Sequence, residues 1–221
     1  MKSLQNIICN RKFRYSFLLF ILLFLYIFVC AFSYVNAVSS DIANSVFRLH
    51  VIANSDEKED QELKLKVRDN VLSYMNKICE NVTTKEDAIL IANDHIDEFK
   101  DIALNTIHEN GYDYLVNIRI GNFSFPTKTY GDISLPSGYY DALRIEIGEA
   151  EGQNWWCVMF PPLCFVDVSS GIVPDESKET MKSDLSDEEF SLISDNEDSN
   201  VKFKFKLIEW FQNVKIMTAK N

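Results

Sequence analysis

The sequence predicts an α+β fold: a two-helix hairpin packed on a mostly antiparallel sheet, preceded by an N-terminal signal peptide or anchor helix. Three observations carry this reading. All seven Gly and all five Pro lie between Gly111 and Pro174, so the first half of the chain is punctuated for helix and the second for strands and turns. The apolar period is helical from about Glu59 to Glu109 and becomes two from Tyr112 onward. Ahead of both lies Phe17 to Val35, a 19-residue run that is apolar apart from Ser33.

That run is long enough to span a bilayer, and the cationic flank of Arg11, Lys12 and Arg14 should remain inside. Val35-Asn36-Ala37 also places small residues where a signal peptidase reads, which predicts cleavage after Ala37. Signal peptide and anchor therefore both stand for residues 1–37, and either sends residues 38–221 out of the cytoplasm. Charge divides at the same place. The 221-residue chain has a net charge of −11, but residues 1–37 carry four cations and no acid, which leaves −15 for the remainder. Nucleic acid is excluded as a partner, because phosphate binding needs a basic face and counterion release.

Ser45 to Ala53 alternates as a strand, with Phe47, Leu49 and Val51 on one side and Arg48, His50 and Ile52 on the other. Asn54-Ser55-Asp56 ends it and offers helix caps. A helix from about Glu59 to Glu80 follows, with Leu63, Val67, Val71, Tyr74 and Ile78 on one stripe. Arg68 falls inside its wider apolar arc and needs a partner or a route to water. Thr83 and Glu86 stand in capping-box spacing and open a second helix that runs to Glu109 and stops at Gly111, with His95 in the middle of its apolar face. Tyr114, Val116, Ile118 and Ile120 then make one side of a strand. The chain stays extended to a turn at Gly131-Asp132, turns again at Pro136-Ser137-Gly138, and resumes where Leu143, Ile145 and Ile147 alternate with Arg144 and Glu146. Asn154 to Phe160 is the last strand, ended by Pro161-Pro162.

Cys157 and Cys164 are the one close cysteine pair beyond the leader. Their spacing and an oxidising compartment favour a disulfide, with two buried thiols as the alternative; zinc lacks a second ligand pair nearby. Asp175 to Ser199 holds ten acids against Lys178 and Lys182 and reads as a flexible acidic linker. Val201 to Met217 is amphipathic and basic, suited to docking on the parent domain or on a membrane surface. The organisation is thus residues 1–37 as signal or anchor, 38–174 as an extracytoplasmic α+β domain, 175–200 as linker and 201–221 as an amphipathic end.

No nucleophile elbow, zinc-protease helix or phosphate-binding glycine loop occurs, and the three histidines, His50, His95 and His108, are scattered. Neither an enzyme nor a metal or cofactor is expected. A cysteine hydrolase built on Cys157 and His50 would need a free thiol, which a disulfide removes. Two clusters are dense enough to suggest partner contact: Arg48, His50, Asn54 and Asp56 around the end of the first strand, and the adjacent Trp155 and Trp156, which must point to opposite sides of their strand. Local capping and two-sided burial are the plainer accounts of the same residues.

Several blocks resemble the stage II sporulation protein R family of endospore-forming bacteria: Arg48-Leu-His-Val-Ile-Ala-Asn-Ser-Asp56, Gln61-Glu-Leu-Lys-Leu-Lys-Val-Arg-Asp69, Phe125-Pro-Thr-Lys-Thr-Tyr-Gly131, Leu135-Pro-Ser-Gly-Tyr-Tyr-Asp-Ala-Leu-Arg144, and the long run from Ile147 to Asp167 that contains Gln153-Asn-Trp-Trp-Cys157. The likeness covers about residues 45–168. It implies a signalling protein exported from the forespore into the space between the two sporulation membranes. There it would activate a membrane-embedded sporulation aspartic protease, which cleaves the precursor of the mother-cell sigma factor. A cell-wall hydrolase and a structural envelope protein are the rival expectations. Membrane contact would run through residues 17–35 if they are retained, and through residues 201–217. The resemblance supplies no catalytic residues.

Overall fold

A computed structural model describes residues 11–164 and 173–194. It divides into two compact units at Val38/Ser39. The first is the bulk of helix α1 (Arg11–Asn44). Its mean hydropathy reaches 2.7 over its most apolar 18 residues, so by length and composition it can cross a membrane. From Phe13 to Tyr34 its large apolar side chains are exposed, as Leu19 and Tyr26 are at 69% and 67%, which suits a signal or anchor helix and not a core helix.

The second unit begins with the last turns of α1. Ser45 closes that helix by donating its Oγ to the Ile42 carbonyl at 2.9 Å and hands the chain to β1 (Phe47–Ile52). Then come α2 (Lys58–Ile78), α3 (Lys85–Asp94), α4 (Ile96–Glu109), β2 (Val116–Phe125), β3 (Lys128–Tyr130), β4 (Ile133–Leu135), β5 (Gly138–Ile147), β6 (Asn154–Phe160), α5 (Asp175–Asp184) and α6 (Asp187–Ile193). Four strands form one sheet in the order β2-β5-β1-β6, and β3 and β4 form a separate hairpin. β1 is parallel to β5 and antiparallel to β6, while β2 and β5 are antiparallel. The α+β class and the mostly antiparallel sheet are as the sequence implies.

Period explains the core. Phe47, Leu49 and Val51 of β1 and Leu143, Ile145 and Ile147 of β5 face the helices, where Leu63, Val67, Val71 and Met75 of α2 and Phe99, Ala103 and Ile107 of α4 meet them. Each large apolar side chain in this layer contributes about 1.5–3 kcal/mol by burial. Arg68 finds the expected partner: its guanidinium lies 2.6 Å from Asp69, and it also stacks 4.2 Å from the Trp155 ring.

Three expectations need correction. The second helix is two helices, broken at His95 (φ −109°, ψ 23°), so the hairpin becomes a three-helix layer. The apolar spacing continues across the break, and periodicity cannot see it. His95 Nδ1 lies 2.9 Å from the Tyr74 hydroxyl. The N-cap is Thr84, which accepts from the Asp87 amide at 3.2 Å, one residue later than the Thr83–Glu86 pairing implied. The acidic stretch after Pro174 is helical over α5 and α6, not a flexible linker across its described part. Ser186 and Glu189 form a capping box, and Met181, Leu185, Phe190, Leu192 and Ile193 are buried. Lys178 pairs with Asp132 at 2.6 Å, and Ser194 bridges to Ile133, so both helices rest against the β3–β4 hairpin. The amphipathic segment 201–221 lies outside the described residues.

Candidate functional site

With the apolar set turned to the helices, the polar set of each strand lies on the opposite, outer face. Strand register then aligns Arg119 of β2, Arg144 of β5, His50 of β1 and Trp156 of β6 in one row across the sheet. Asn117 and Glu146 stand in the next row, and Asn154 of β6 lies opposite Ile52 there. On the other side of the row lies Arg48, beside Ala142 and Val158.

Arg48 is completely buried. One Nη donates to the Tyr130 hydroxyl at 2.7 Å, and the guanidinium carbon lies 4.1 Å from the Phe125 ring centroid and 4.6 Å from that of Tyr140. Among the described residues no carboxylate pairs with it, and its Nε and second Nη have no acceptor. The aromatic faces replace the missing counter-ion, since a desolvated cation over a ring gains about 2 kcal/mol or more. Through Tyr130, whose hydroxyl also donates to the Trp156 carbonyl at 3.2 Å, Arg48 ties the hairpin to the sheet.

His50 stacks on Trp156 with centroids 5.5 Å apart, and its Nε2 lies 2.6 Å from Asn154 Oδ1. Burial pushes its pKa below the ordinary imidazole value; the bond to Asn154 opposes this, and the Arg144 and Arg48 charges add to it. Arg144 and Arg119 share the Glu146 carboxylate at 2.8 and 2.9 Å, with Asn117 donating at 2.7 Å. Burial acts to raise the Glu146 pKa, but these donors and cations outweigh it and the net shift is downward. Lys128 sits 5.0 Å above the Trp156 ring. Beside it, along the free edge of β6, a cleft of about 460 Å³ is lined by Lys128, Tyr130, Trp156, Leu163 and the disulfide-bonded Cys157 and Cys164, whose Cα atoms are 5.2 Å apart. Among the described residues no three His, Cys, Asp or Glu side chains converge as a metal site would require.

Of the six suggested contact residues, the structure brings together Arg48, His50 and Trp156. Trp155 faces the helices under Arg68. Asn54 is a structural lock: its Nδ2 donates to Asp60 at 2.8 Å, and its Oδ1 accepts the Glu149 amide at 3.0 Å. Asp56 is exposed, away from the row. Asp60, not singled out from the sequence, is the buried acid at the start of α2. Burial alone would raise its pKa, yet hydrogen bonds from Ser55, Asn54 and Tyr114 hold it below the ordinary carboxylate value. Arg119, Arg144 and Glu146 were legible as outward positions of alternating strands. Their meeting with His50 depends on β1 inserting between β5 and β6, which alternation does not encode.

Comparison with known proteins places this geometry in a family. The family model described as stage II sporulation protein R matches residues 43–170. The chain belongs to the stage II sporulation protein R family. It is 35% identical over 185 residues to the stage II sporulation protein R of Bacillus subtilis (strain 168), covering 78% of this chain and 83% of that protein. No solved structure matches. The family match covers β1 through β6 and so includes the whole outer-face row.

Proposed function

We propose that this chain is the exported signal of endospore formation that activates a membrane-embedded aspartic protease, which then cleaves the precursor of the mother-cell sigma factor. Its place of action is the space between the forespore and mother-cell membranes, and the outer sheet face is its contact surface, with Arg48 as the residue that holds that face together and His50 and Trp156 as part of it. The observation that carries this reading is family membership over residues 43–170, which include all six strands and the three helices packed on the sheet. An N-terminal helix fit for export or anchoring supports it. So does an α+β domain whose polar and aromatic cluster on the outer sheet face reaches the surface through Arg119 and Arg144.

The test is reconstitution in a non-sporulating host. This chain is co-expressed with the protease and the sigma precursor, and precursor cleavage is followed with and without residues 1–37. Cleavage is expected only when residues 38–221 are exported. Absence of cleavage with a stable, exported chain and a competent protease would reject direct activation. Release of soluble peptidoglycan fragments by the purified domain would instead select a cell-wall hydrolase.

A further inference from the structure

The outer face is chemically unlike the rest of the molecule. In a chain of net charge −11 it carries Arg119 and Arg144, which share the Glu146 carboxylate, with Lys128 over the Trp156 ring at the far end of the row. Two arginines share that single acid, so a positive excess remains on the row. Among the described residues, buried hydrogen-bonding atoms there also lack partners: Arg144 Nε and Trp156 Nε1 are donors without acceptors, and His50, only 6% exposed, has an unpartnered Nδ1. An unsatisfied buried polar atom is destabilising, and a ligand that completes it recovers that loss on binding. Arg144 and Trp156 are themselves half-exposed, so small side-chain movements bring these donors to a ligand. The row is held by strand register and by the Arg48–Tyr130 link, so little ordering is needed when something docks.

We propose that this face binds an acidic, extended peptide segment of a protein partner, with a carboxylate received by Arg119 and Arg144 and an apolar side chain seated in the cleft beside Trp156. The proposal deepens the signalling reading by naming the chemistry of the partner, and it rests on that reading only for the partner's identity. The carboxylate also satisfies Arg144 Nε, a peptide carbonyl two strands away satisfies Trp156 Nε1, and a backbone N–H of the extended chain satisfies His50 Nδ1. Charge complementarity selects the ligand. A bilayer of anionic lipid would meet the same cations, but it would also meet the strongly acidic remainder of the domain and would leave the cleft empty.

The experiment uses the full chain in neutral detergent and a labelled six-residue peptide of alternating glutamate and phenylalanine, with a lysine–phenylalanine peptide as its charge-reversed counterpart. The acidic peptide is expected to bind and the basic one not. Arg119→Gln with Arg144→Gln weakens binding at least about tenfold, as does raising salt to about 0.5 M, while Arg119→Lys with Arg144→Lys retains most of it. Unchanged melting verifies that the variants fold. Lys128→Gln, on the hairpin and outside the sheet, provides an independent loss of about threefold or more. No binding of the acidic peptide, equal binding by wild type and the double glutamine variant, or capture by phosphatidylglycerol vesicles instead of the peptide would each overturn the proposal. The same variants enter the reconstitution. Peptide binding as expected with no precursor cleavage by wild type would reject the signalling reading and leave the site standing. Cleavage by wild type and by the glutamine variant alike would reject the site and leave the reading standing.

Discussion

Arg48 and His50 are neighbours on the outer side of one strand, and burial acts on them in different ways. The Arg48 guanidinium lies between Phe125 and Tyr140, so its planar shape matters as much as its charge. Arg48→Ala removes the filling of that slot and should lose about 3 kcal/mol in urea unfolding, whereas Arg48→Met keeps volume, removes an incompletely solvated charge and should lose clearly less. Equal losses would mean that the charge itself, not the packing, holds the slot together. His50 has its folded-state pKa depressed, chiefly by burial. The unfolded chain therefore takes up the proton first as pH falls. The stability linked to His50 is fully present above the ordinary imidazole pKa and is lost as pH drops through that value towards the depressed folded one. Unfolding free energy measured across mildly acidic pH should fall for the wild type and stay flatter for His50→Gln. Parallel slopes for the two proteins would remove His50 as the cause.

Elements differ in how firmly their surroundings hold them. α5 and α6 rest on the β3–β4 hairpin through Asp132, whose Oδ1 accepts the Val173 amide at 3.0 Å and whose Oδ2 pairs with Lys178. Asp132→Ala should open this attachment without unfolding the sheet. Limited proteolysis is expected to cut between residues 175 and 194 several-fold faster, with the main melting transition nearly unchanged. Cutting at the wild-type rate would show that the buried Met181, Phe190 and Ile193 suffice. These helices also mark where reading the sequence stops short. Acid density at 175–199 looks like a solvated linker, because a short amphipathic helix with a buried stripe has the same composition as a disordered stretch. The break at His95 hides for the opposite reason, since the apolar period runs through it. The strands were legible because a period of two is written in each of them. Their order was not: the parallel β1–β5 pair joins residues far apart in the chain, and no local pattern announces it. Half of the candidate row follows from that pairing alone.

The whole molecule is organised around a boundary. Its two compact units divide at Val38/Ser39, one residue beyond Ala37, where the small-residue pattern predicts cleavage. The last turns of α1, beyond that boundary, belong to the folded domain. Ile42 is fully buried, and the Ala43 carbonyl accepts from the Nζ of Lys85, a buried lysine whose other partner is Asp141 at 2.7 Å. Two truncations should therefore behave differently. Removal of residues 1–37 leaves these contacts intact, and the domain should still unfold cooperatively in urea. Removal of residues 1–44 deletes Ile42, worth about 1.5–3 kcal/mol by burial, and also leaves Lys85 short of an acceptor, for a further loss of about 1–3 kcal/mol. The shorter domain should then melt clearly lower. Lys85→Met should recover part of the difference in the shorter domain, because it removes the unsatisfied donor while keeping the apolar stem. Equal stability of the two truncations would place the domain boundary after Asn44 and make the last turns of α1 part of the leader.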